Sequence, residues 1–285
     1  MALPRYRIEF APVGLSMLRT VRGLYRLFVL ILTLIQAMIG MWLFTRRNGG
    51  RLTRRQRAEE TQRVCAMILR RMPVDSETQG DPPRQGLLVS NHLSFLDIIL
   101  YGAACPCVFI SKAEVLHWPI FGTAARMAGT VFVDRSRPAV GSAATADVEV
   151  ALKEDVCVLL FPEGTSSNGS ELRPFHSSFY EPAVRAEAEV VAAAVGYPDG
   201  PDHVEEDVCY AGDDMFFPRL MKALSLDRIG ARVDFSPRHV VYGSRKEAMN
   251  ATREEILEMR RLQREGPVTV EDGSEETDTP ATATL

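Results

Sequence analysis

The feature of this sequence that most restricts its fold is a regular alternation of short apolar runs with longer amphipathic segments. Short apolar runs, which predict strands, occupy residues 86–90, 107–110, 130–133, 156–161, 190–195 and 231–235. Segments with helical periodicity occupy residues 53–71, 98–104, 120–127, 139–153 and 176–186. This alternation predicts an α/β fold with a mostly parallel sheet flanked by helices.

The N-terminal fifth of the chain has a different composition from the rest. Residues 1–57 hold eleven Arg, no Lys and one acid, Glu9, whereas the remaining residues hold 22 basic and 36 acidic side chains. Within this basic segment, residues 27–44 carry no charge at all. Eighteen residues lie at the lower edge of what crosses a bilayer, and flanking arginines suit the headgroup region. We therefore predict that residues 1–57 form an N-terminal helical membrane anchor.

Two other interpretations of the uncharged run are a buried core helix and a signal peptide. No small-residue cleavage site follows the run, which disfavours a signal peptide. Arginines on both sides leave the orientation undecided, and the sequence does not choose between a segment that spans the bilayer and one that dips into it.

The remainder of the chain is predicted to form one domain and a tail. Residues 58–265 contain the alternating strands and helices, and "DPPRQG", residues 81–86, reads as a linker into them. Residues 266–285 contain acidic residues and no basic one, which predicts an acidic disordered tail.

The five cysteines indicate a reducing compartment. Their number is odd, their spacing is irregular, and Cys105-Pro-Cys107 has no second pair to complete a metal site. We expect reduced thiols, no metal and no cofactor. A glycosylation sequon at Asn168 lies in the polar segment that follows the predicted strand at residues 156–161, and a glycan there would block access to a cleft at the end of that strand. Both observations favour a site on the cytoplasmic face of a membrane.

Polar residues follow three of the predicted strands directly. The strand at residues 86–90 is followed by "NHLSFLD", the strand at 130–133 leads into "VDRS", and the strand at 156–161 leads into "FPEGTSSNG". Because ligands of parallel sheets collect at the carboxyl ends of the strands, these segments are expected to share one cleft.

The first of these segments places His92 five residues before Asp97. An imidazole becomes an effective general base when a carboxylate accepts the proton on its other ring nitrogen and stabilises the imidazolium. A tight turn and a helix start can bring the two side chains together. The alternative is that Asp97 only caps a helix beginning near Ile98 and that His92 is a solvated loop residue.

In this order and spacing, "NHLSFLD", "VFVDRS" and "FPEGT" resemble the motifs of the glycerolipid acyltransferase family, which includes bacterial 1-acylglycerol-3-phosphate acyltransferase. The resemblance covers residues 87–195. It implies that residues 58–265 are an acyltransferase domain of a membrane-bound enzyme of membrane lipid biosynthesis. Such an enzyme moves a fatty acyl group from acyl-CoA or acyl-carrier-protein to the free hydroxyl of a lysolipid. No nucleic acid partner is expected, and the expected location is the cell inner membrane or another membrane.

By the same resemblance, His92 is the general base and Asp97 orients it. Gly164 lets the backbone approach a ligand closely, and exposed amides after Phe161 are candidates to stabilise an oxyanion. The residues expected to bind substrate are Asn91, Ser94, Arg135, Glu163, Gly164, Thr165 and Ser166.

The sequence departs from the family pattern at two places. The third motif ordinarily has an arginine where this chain has Ser166, so a phosphate on the acceptor would have to be met by Arg135 or Arg173, or not at all. The acceptor is therefore lysophosphatidic acid, a lysophospholipid or lyso-ornithine lipid, and "TSSNGSELRPFHSSFYEPA" resembles the lyso-ornithine branch. The fourth motif lacks its usual proline, with Pro198 three residues late.

Two other functional classes use the same features. One is a membrane-anchored hydrolase of lysolipids or thioesters, in which His92 activates water. The other is a lipid-binding protein without catalysis, which the presence of both His92 and Asp97 disfavours.

Overall fold

The structure, a computed structural model, describes residues 13–133, 138–154, 156–199, 205–210 and 216–265. The predicted acidic tail, residues 266–285, lies outside the described residues, as does Arg135.

One seven-stranded sheet forms the centre of the described chain. Its strands are β1 (Val74–Gln79), β2 (Gly86–Ser90), β3 (Cys107–Lys112), β4 (Val131–Val133), β5 (Cys157–Leu160), β6 (Val190–Gly196) and β7 (Ile229–Phe235). They lie in the order β1-β7-β6-β2-β5-β3-β4. Every neighbouring pair is parallel except β6 and β7, which are antiparallel. The predicted mostly parallel α/β fold is confirmed.

Helices cover both faces of the sheet. They are α1 (Val13–Arg47), α2 (Arg54–Arg71), α3 (Phe95–Ala104), α4 (Phe121–Met127), α5 (Pro138–Leu152), α6 (Glu181–Arg185), α7 (Glu205–Val208), α8 (Phe216–Ser225) and α9 (Arg245–Glu265). Two 3-10 helices span Ala113–His117 and Ser177–Tyr180.

The central strands have apolar side chains on both faces because both faces are covered. In β2, Leu88 belongs to one hydrophobic cluster, whereas Leu87 and Val89 belong to the cluster on the opposite face. All seven residues of β6 are buried. Side chains alternate between the faces of a strand, so a strand buried on both sides reads as a continuous apolar run.

Strand β1 and helix α9 are among the elements that were not predicted from the sequence. Strand β1 has the sequence VDSETQ and is almost entirely exposed, since it lies at the sheet edge and pairs only with β7. It precedes residues 81–86, so this segment connects β1 to β2 and is not a linker into the domain. Helix α9 buries Ala248, Thr252, Ile256 and Arg260, a stripe at four-residue spacing that includes polar side chains.

Helix α1 packs one side on the rest of the chain and exposes the other. Leu30, Leu34 and Met41 are buried, and a Cβ at Gly23 would lie 3.3 Å from Met221 Cε of α8. Arg26 donates from Nη1 to the carbonyl of Leu224 at 3.0 Å, at the C-terminal end of α8. By length and composition, α1 is the one helix among the described residues that is apolar enough to cross a membrane, with a mean hydropathy of 2.4 over an 18-residue window.

Candidate active site

The candidate site begins in the four-residue connection between β2 and α3. Helix α3 starts at Phe95, three residues earlier than predicted, with Ser94 as its N-cap and Asp97 at the third helical position. The Asp97 carboxylate accepts from the backbone N–H of Ser94, so the helix start turns this side chain back toward the connection.

Asp97 is fully buried and binds His92 directly. Its Oδ2 accepts from His92 Nδ1 at 2.8 Å, from the N–H of Leu93 at 2.7 Å and from the N–H of Ser94 at 2.9 Å. Its Oδ1 accepts from the hydroxyl of Tyr197 at 2.5 Å. The carboxylate therefore contributes to the capping box at the start of α3 and binds the imidazole at the same time, so Asp97 is not only a cap.

The geometry of His92 leaves one ring nitrogen available for chemistry. A carboxylate accepts only when the facing atom carries a proton, so Nδ1–H donates to Asp97 and Nε2 is left with a lone pair. The imidazole also stacks on Phe161, which follows β5, with ring centroids 4.2 Å apart and planes 14° apart. A hydrogen bond and a stacked ring together fix the orientation of the imidazole.

Glu163 supports the backbone of His92. Its Oε1 accepts from the N–H of His92 at 2.8 Å and its Oε2 accepts from the N–H of Arg173 at 3.0 Å. In addition, the N–H of Ser167 donates to the carbonyl of His92 at 2.9 Å. Burial raises the pKa of the Glu163 carboxyl, and the two backbone N–H donors oppose this shift. The loop after β5 is therefore tied to the loop after β2.

His92 lies on the wall of a cavity of about 890 Å³. A volume of this size holds a lipid-sized ligand. Apolar side chains from several helices and from β3 make up much of the wall, among them Met38, Met41, Ile68, Phe109 and Phe216. Beside His92 the wall is formed by Phe161, Gly164, Thr165, Ser166 and Tyr210. The arrangement places the His92 imidazole, which Asp97 binds through Nδ1, on the wall of a mostly apolar cavity.

Comparisons with known proteins find acyltransferases among the similar proteins. Residues 73–196 match the family model described as Acyltransferase, and this span contains both His92 and Glu163. A lyso-ornithine lipid O-acyltransferase of Pseudomonas aeruginosa is 37% identical over 172 residues, which cover 58% of this chain and 62% of that protein. A 1-acyl-sn-glycerol-3-phosphate acyltransferase of Neisseria meningitidis is 34% identical over 154 residues, which cover 54% of this chain and 60% of that protein.

Residues 73–196, less than half of the chain, are therefore similar to the acyltransferase family.

The fold of most of the chain also matches a solved structure. The crystal structure of the 1-acyl-sn-glycerophosphate acyltransferase PlsC from Thermotoga maritima aligns with a TM-score of 0.62 at 18% identity. The alignment covers 86% of this chain and 96% of that chain. The similarity to PlsC shows the fold, whereas the chain spans about three fifths of the length of the two curated relatives.

The acyltransferase motif residues predicted to bind substrate divide into two groups. Gly164, Thr165 and Ser166 line the cavity, whereas Asn91 and Ser94 do not. The Asn91 amide exchanges two hydrogen bonds of 2.9 Å with the backbone of Val195, and Ser94 Oγ donates to the carbonyl of Val208 at 3.0 Å. Glu163 also lies outside the cavity wall.

The loop after Phe161 uses some of its amides internally. The N–H of Gly164 closes a turn by donating to the carbonyl of Phe161 at 3.1 Å, and Gly164 has φ +75°, which favours glycine. An oxyanion donor from this loop would therefore have to be a different amide.

The basic side chain found at the cavity is not one of the two arginines that the sequence suggested. Arg173 is exposed and does not line the cavity. Among the described residues of the wall, Lys112 is the only lysine or arginine. No group of His, Cys, Asp or Glu in the described part of the chain could hold a metal ion.

Sequence reasoning missed two tyrosines of the site. Tyr197 lies in "VGYPDG", where the weak fourth motif drew attention to proline, and its hydroxyl reaches Asp97 from 100 residues away. Tyr210 lines the cavity, and its hydroxyl shares a hydrogen bond with the side chain of Ser166. No local pattern identifies either residue, because both reach the site through the tertiary fold.

Proposed function

We propose that this chain is a membrane-bound O-acyltransferase that moves a fatty acyl group from a thioester donor, acyl-CoA or acyl-carrier-protein, to the hydroxyl of a lysolipid. The observation that carries the proposal is the His92–Asp97 pair, whose Nε2 is available at the wall of the apolar cavity. The match of residues 73–196 to the family model described as Acyltransferase supports the same reaction class.

The proposed chemistry requires only proton transfer and acyl exchange. His92 Nε2 accepts the proton of the lysolipid hydroxyl as its oxygen attacks the thioester carbonyl. Asp97 stabilises the imidazolium that forms, as its bond to Nδ1 allows. When the tetrahedral intermediate collapses, the C–S bond breaks and the leaving thiolate takes the proton from the imidazolium. The lysolipid oxygen now carries the acyl group as an ester, and His92 is again neutral.

The proposed membrane attachment rests on the difference between the two sides of α1, one packed on the protein and one exposed and apolar. From Gly23 to Met41 one side contacts the rest of the chain, a length of about 27 Å at 1.5 Å per residue. A helix held in this way is not surrounded by lipid, so we infer that it lies in one leaflet and does not span the bilayer. The lipid-facing side chains are Met17, Val21, Leu24, Phe28, Leu32, Ile35, Ile39 and Trp42, all exposed.

In this arrangement residues 1–57 are the anchor and residues 58–265 are the acyltransferase domain. The five cysteines are free and buried, as suits a chain in a reducing compartment. We therefore place the site at the cytoplasmic face of the membrane, in bacteria the inner membrane, where the proposed acyl donors occur.

We infer that the acceptor is a lysolipid without a phosphomonoester, lyso-ornithine lipid being the leading candidate. The position that carries an arginine in the family motif holds Ser166, whose side chain bonds Tyr210. This hydroxyl pair suits amide or hydroxyl groups better than a doubly charged phosphate. The relative from Pseudomonas aeruginosa named as a lyso-ornithine lipid O-acyltransferase supports this choice.

A panel of acceptors tests the proposal. Membranes that contain the full chain would be supplied with labelled acyl-CoA or acyl-carrier-protein and with lyso-ornithine lipid, lysophosphatidic acid or lysophosphatidylethanolamine. We expect a diacylated product, formed best from lyso-ornithine lipid. Free fatty acid as the main product would instead identify a hydrolase. Ser166→Arg should raise the relative use of lysophosphatidic acid about tenfold or more, because a charge-assisted contact to phosphate is added.

A further inference from the structure

Asp97 has a second partner, which the reaction proposed above does not use. Tyr197, at the end of β6, is fully buried, and its hydroxyl donates to Asp97 Oδ1 at 2.5 Å. This oxygen is not the one that binds His92, which faces Oδ2. The phenol therefore holds the carboxylate from the side opposite the imidazole.

The described partners of the Asp97 carboxylate contain no fixed positive charge. They are two backbone N–H groups, the imidazole of His92 and the phenol of Tyr197. A buried carboxylate depends on such donors, because it has lost its hydration. The described titratable groups that also face Asp97 are Tyr101 on α3, Glu163 after β5, and Cys209 and Tyr210 after α7.

The phenol is suited to remain a donor. Burial, the charge of Asp97 and the hydrogen bond to it raise the pKa of Tyr197 well above its usual value. The hydroxyl therefore keeps its proton at neutral pH and can donate it to Asp97.

The backbone of Tyr197 is fixed by helix α9. Its N–H donates to Glu205 Oε1 at 3.1 Å, and Glu205 forms two hydrogen bonds of 2.7 and 2.8 Å with Arg260 of α9. At Gly196 an added Cβ would meet the side-chain ends of Arg260 and Gln263, so a larger residue there would displace the side chains that α9 packs against the strand. A largely buried ion pair therefore sets where the phenol lies.

We propose that Tyr197 is a positioning residue of the acyltransferase site, whose hydroxyl binds the second oxygen of Asp97 and keeps the first aimed at His92. The role rests on the function proposed for His92. This positioning role means that β6 and α9, which are distant from His92 in the sequence, support the general base.

The proposal predicts a change in the pH profile as well as in the rate. Without the phenol, the negative charge of Asp97 is less stabilised, and the His92–Asp97 pair takes up a proton more readily. The acidic limb of the kcat/KM profile, where the base is protonated, moves to higher pH. A variant that only loosened the packing would lower the rate without this displacement.

The test compares Tyr197→Phe with Tyr180→Phe in the full chain. Tyr180 is a matched control because it is also fully buried, but its hydroxyl bonds Thr252 at 2.8 Å and it does not line the cavity. We expect kcat for Tyr197→Phe to fall about tenfold to a hundredfold, because the carboxylate no longer holds the imidazole in one orientation, with KM changing less than about threefold. The acidic limb should rise by about half a pH unit or more. Tyr180→Phe should leave kcat and the limb unchanged.

A second substitution keeps the test valid if Tyr197→Phe does not fold. Replacing Tyr197 by 3,5-difluorotyrosine retains the shape and makes the phenol a stronger donor, so the acidic limb should move to lower pH. Unchanged acidic limbs in both Tyr197 variants, or an equal displacement in Tyr180→Phe, would overturn the positioning role.

An NMR titration of the His92 imidazole separates this proposal from the function on which it rests. The titration midpoint should rise in Tyr197→Phe and fall in the difluorotyrosine variant, whether or not acyl transfer is detected. If the wild-type chain transfers no acyl group but these midpoints shift, the function proposed for the site fails and the positioning contact stands. If the wild-type chain is active and the midpoints do not move, the positioning role fails alone.

Discussion

Two substitutions at Asp97 separate its roles as helix cap and as partner of the imidazole. In Asp97→Asn, the amide oxygen can take the place of Oδ2 and accept from His92, Leu93 and Ser94. The amide NH₂ then faces the Tyr197 hydroxyl, which can accept because a hydroxyl both donates and accepts. The geometry is kept and only the charge is lost. Asp97→Ala removes the charge and the acceptor together.

The two substitutions should differ in stability by a measurable amount. Asp97→Ala leaves the N–H groups of Leu93 and Ser94 buried without this acceptor, at about 1 to 3 kcal/mol each, and breaks the capping box that Asp97 forms with Ser94. Because these terms describe overlapping interactions, we expect a total of about 2 to 5 kcal/mol. Asp97→Asn keeps these bonds and should lose about 1 kcal/mol.

The two substitutions should have similar effects on activity. Without a carboxylate, His92 loses the group that stabilises its imidazolium, and a general base contributes about 10² to 10⁴ in rate. We expect both variants to fall within that range. Initial rates of acyl transfer and thermal unfolding midpoints, measured on the same preparations in detergent, supply both quantities.

Two outcomes would refute this reasoning about Asp97. If Asp97→Asn keeps more than about one third of the wild-type rate, the negative charge is not needed and the carboxylate acts only as a cap. If Asp97→Ala unfolds at the same temperature as Asp97→Asn, the bonds to the backbone do not contribute to stability.

Three further predictions concern the base, the anchor and the thiols. His92→Ala should lower acyl transfer by about 10² to 10⁴ while the chain still sediments with membranes; wild-type rates would remove His92 from the mechanism. The full chain should stay with membranes in high salt and leave them in detergent, because exposed apolar residues of α1 contact lipid; release by salt alone would show attachment by charge only. Cys105, Cys107, Cys157 and Cys209 should resist a thiol reagent until the chain unfolds, since all four are buried and none of them lines the cavity; rapid labelling of these four in the folded chain would contradict this.

The pairing of His92 with Asp97 could be predicted because the two residues are close together in the sequence. His92 and Asp97 are five residues apart, and the turn into α3 brings their side chains within hydrogen-bond distance. The helical character of α1 and the buried strands β2 and β6 were also predictable, since continuous apolar runs leave few alternatives. These features depend on nearest neighbours along the sequence.

The sequence alone also determined the class of fold and the order of its central strands along the chain, because hydrophobic periodicity is a property of local segments. Only the tertiary structure decided that edge strand β1 joins the sheet, that α9 buries a stripe containing Arg260, and that Tyr197 reaches Asp97. Each of these depends on polar groups that are stable in their positions only because distant parts of the chain supply hydrogen-bond partners. Such partners leave no periodic signal in the sequence, since the chain must fold before the donor and the acceptor meet.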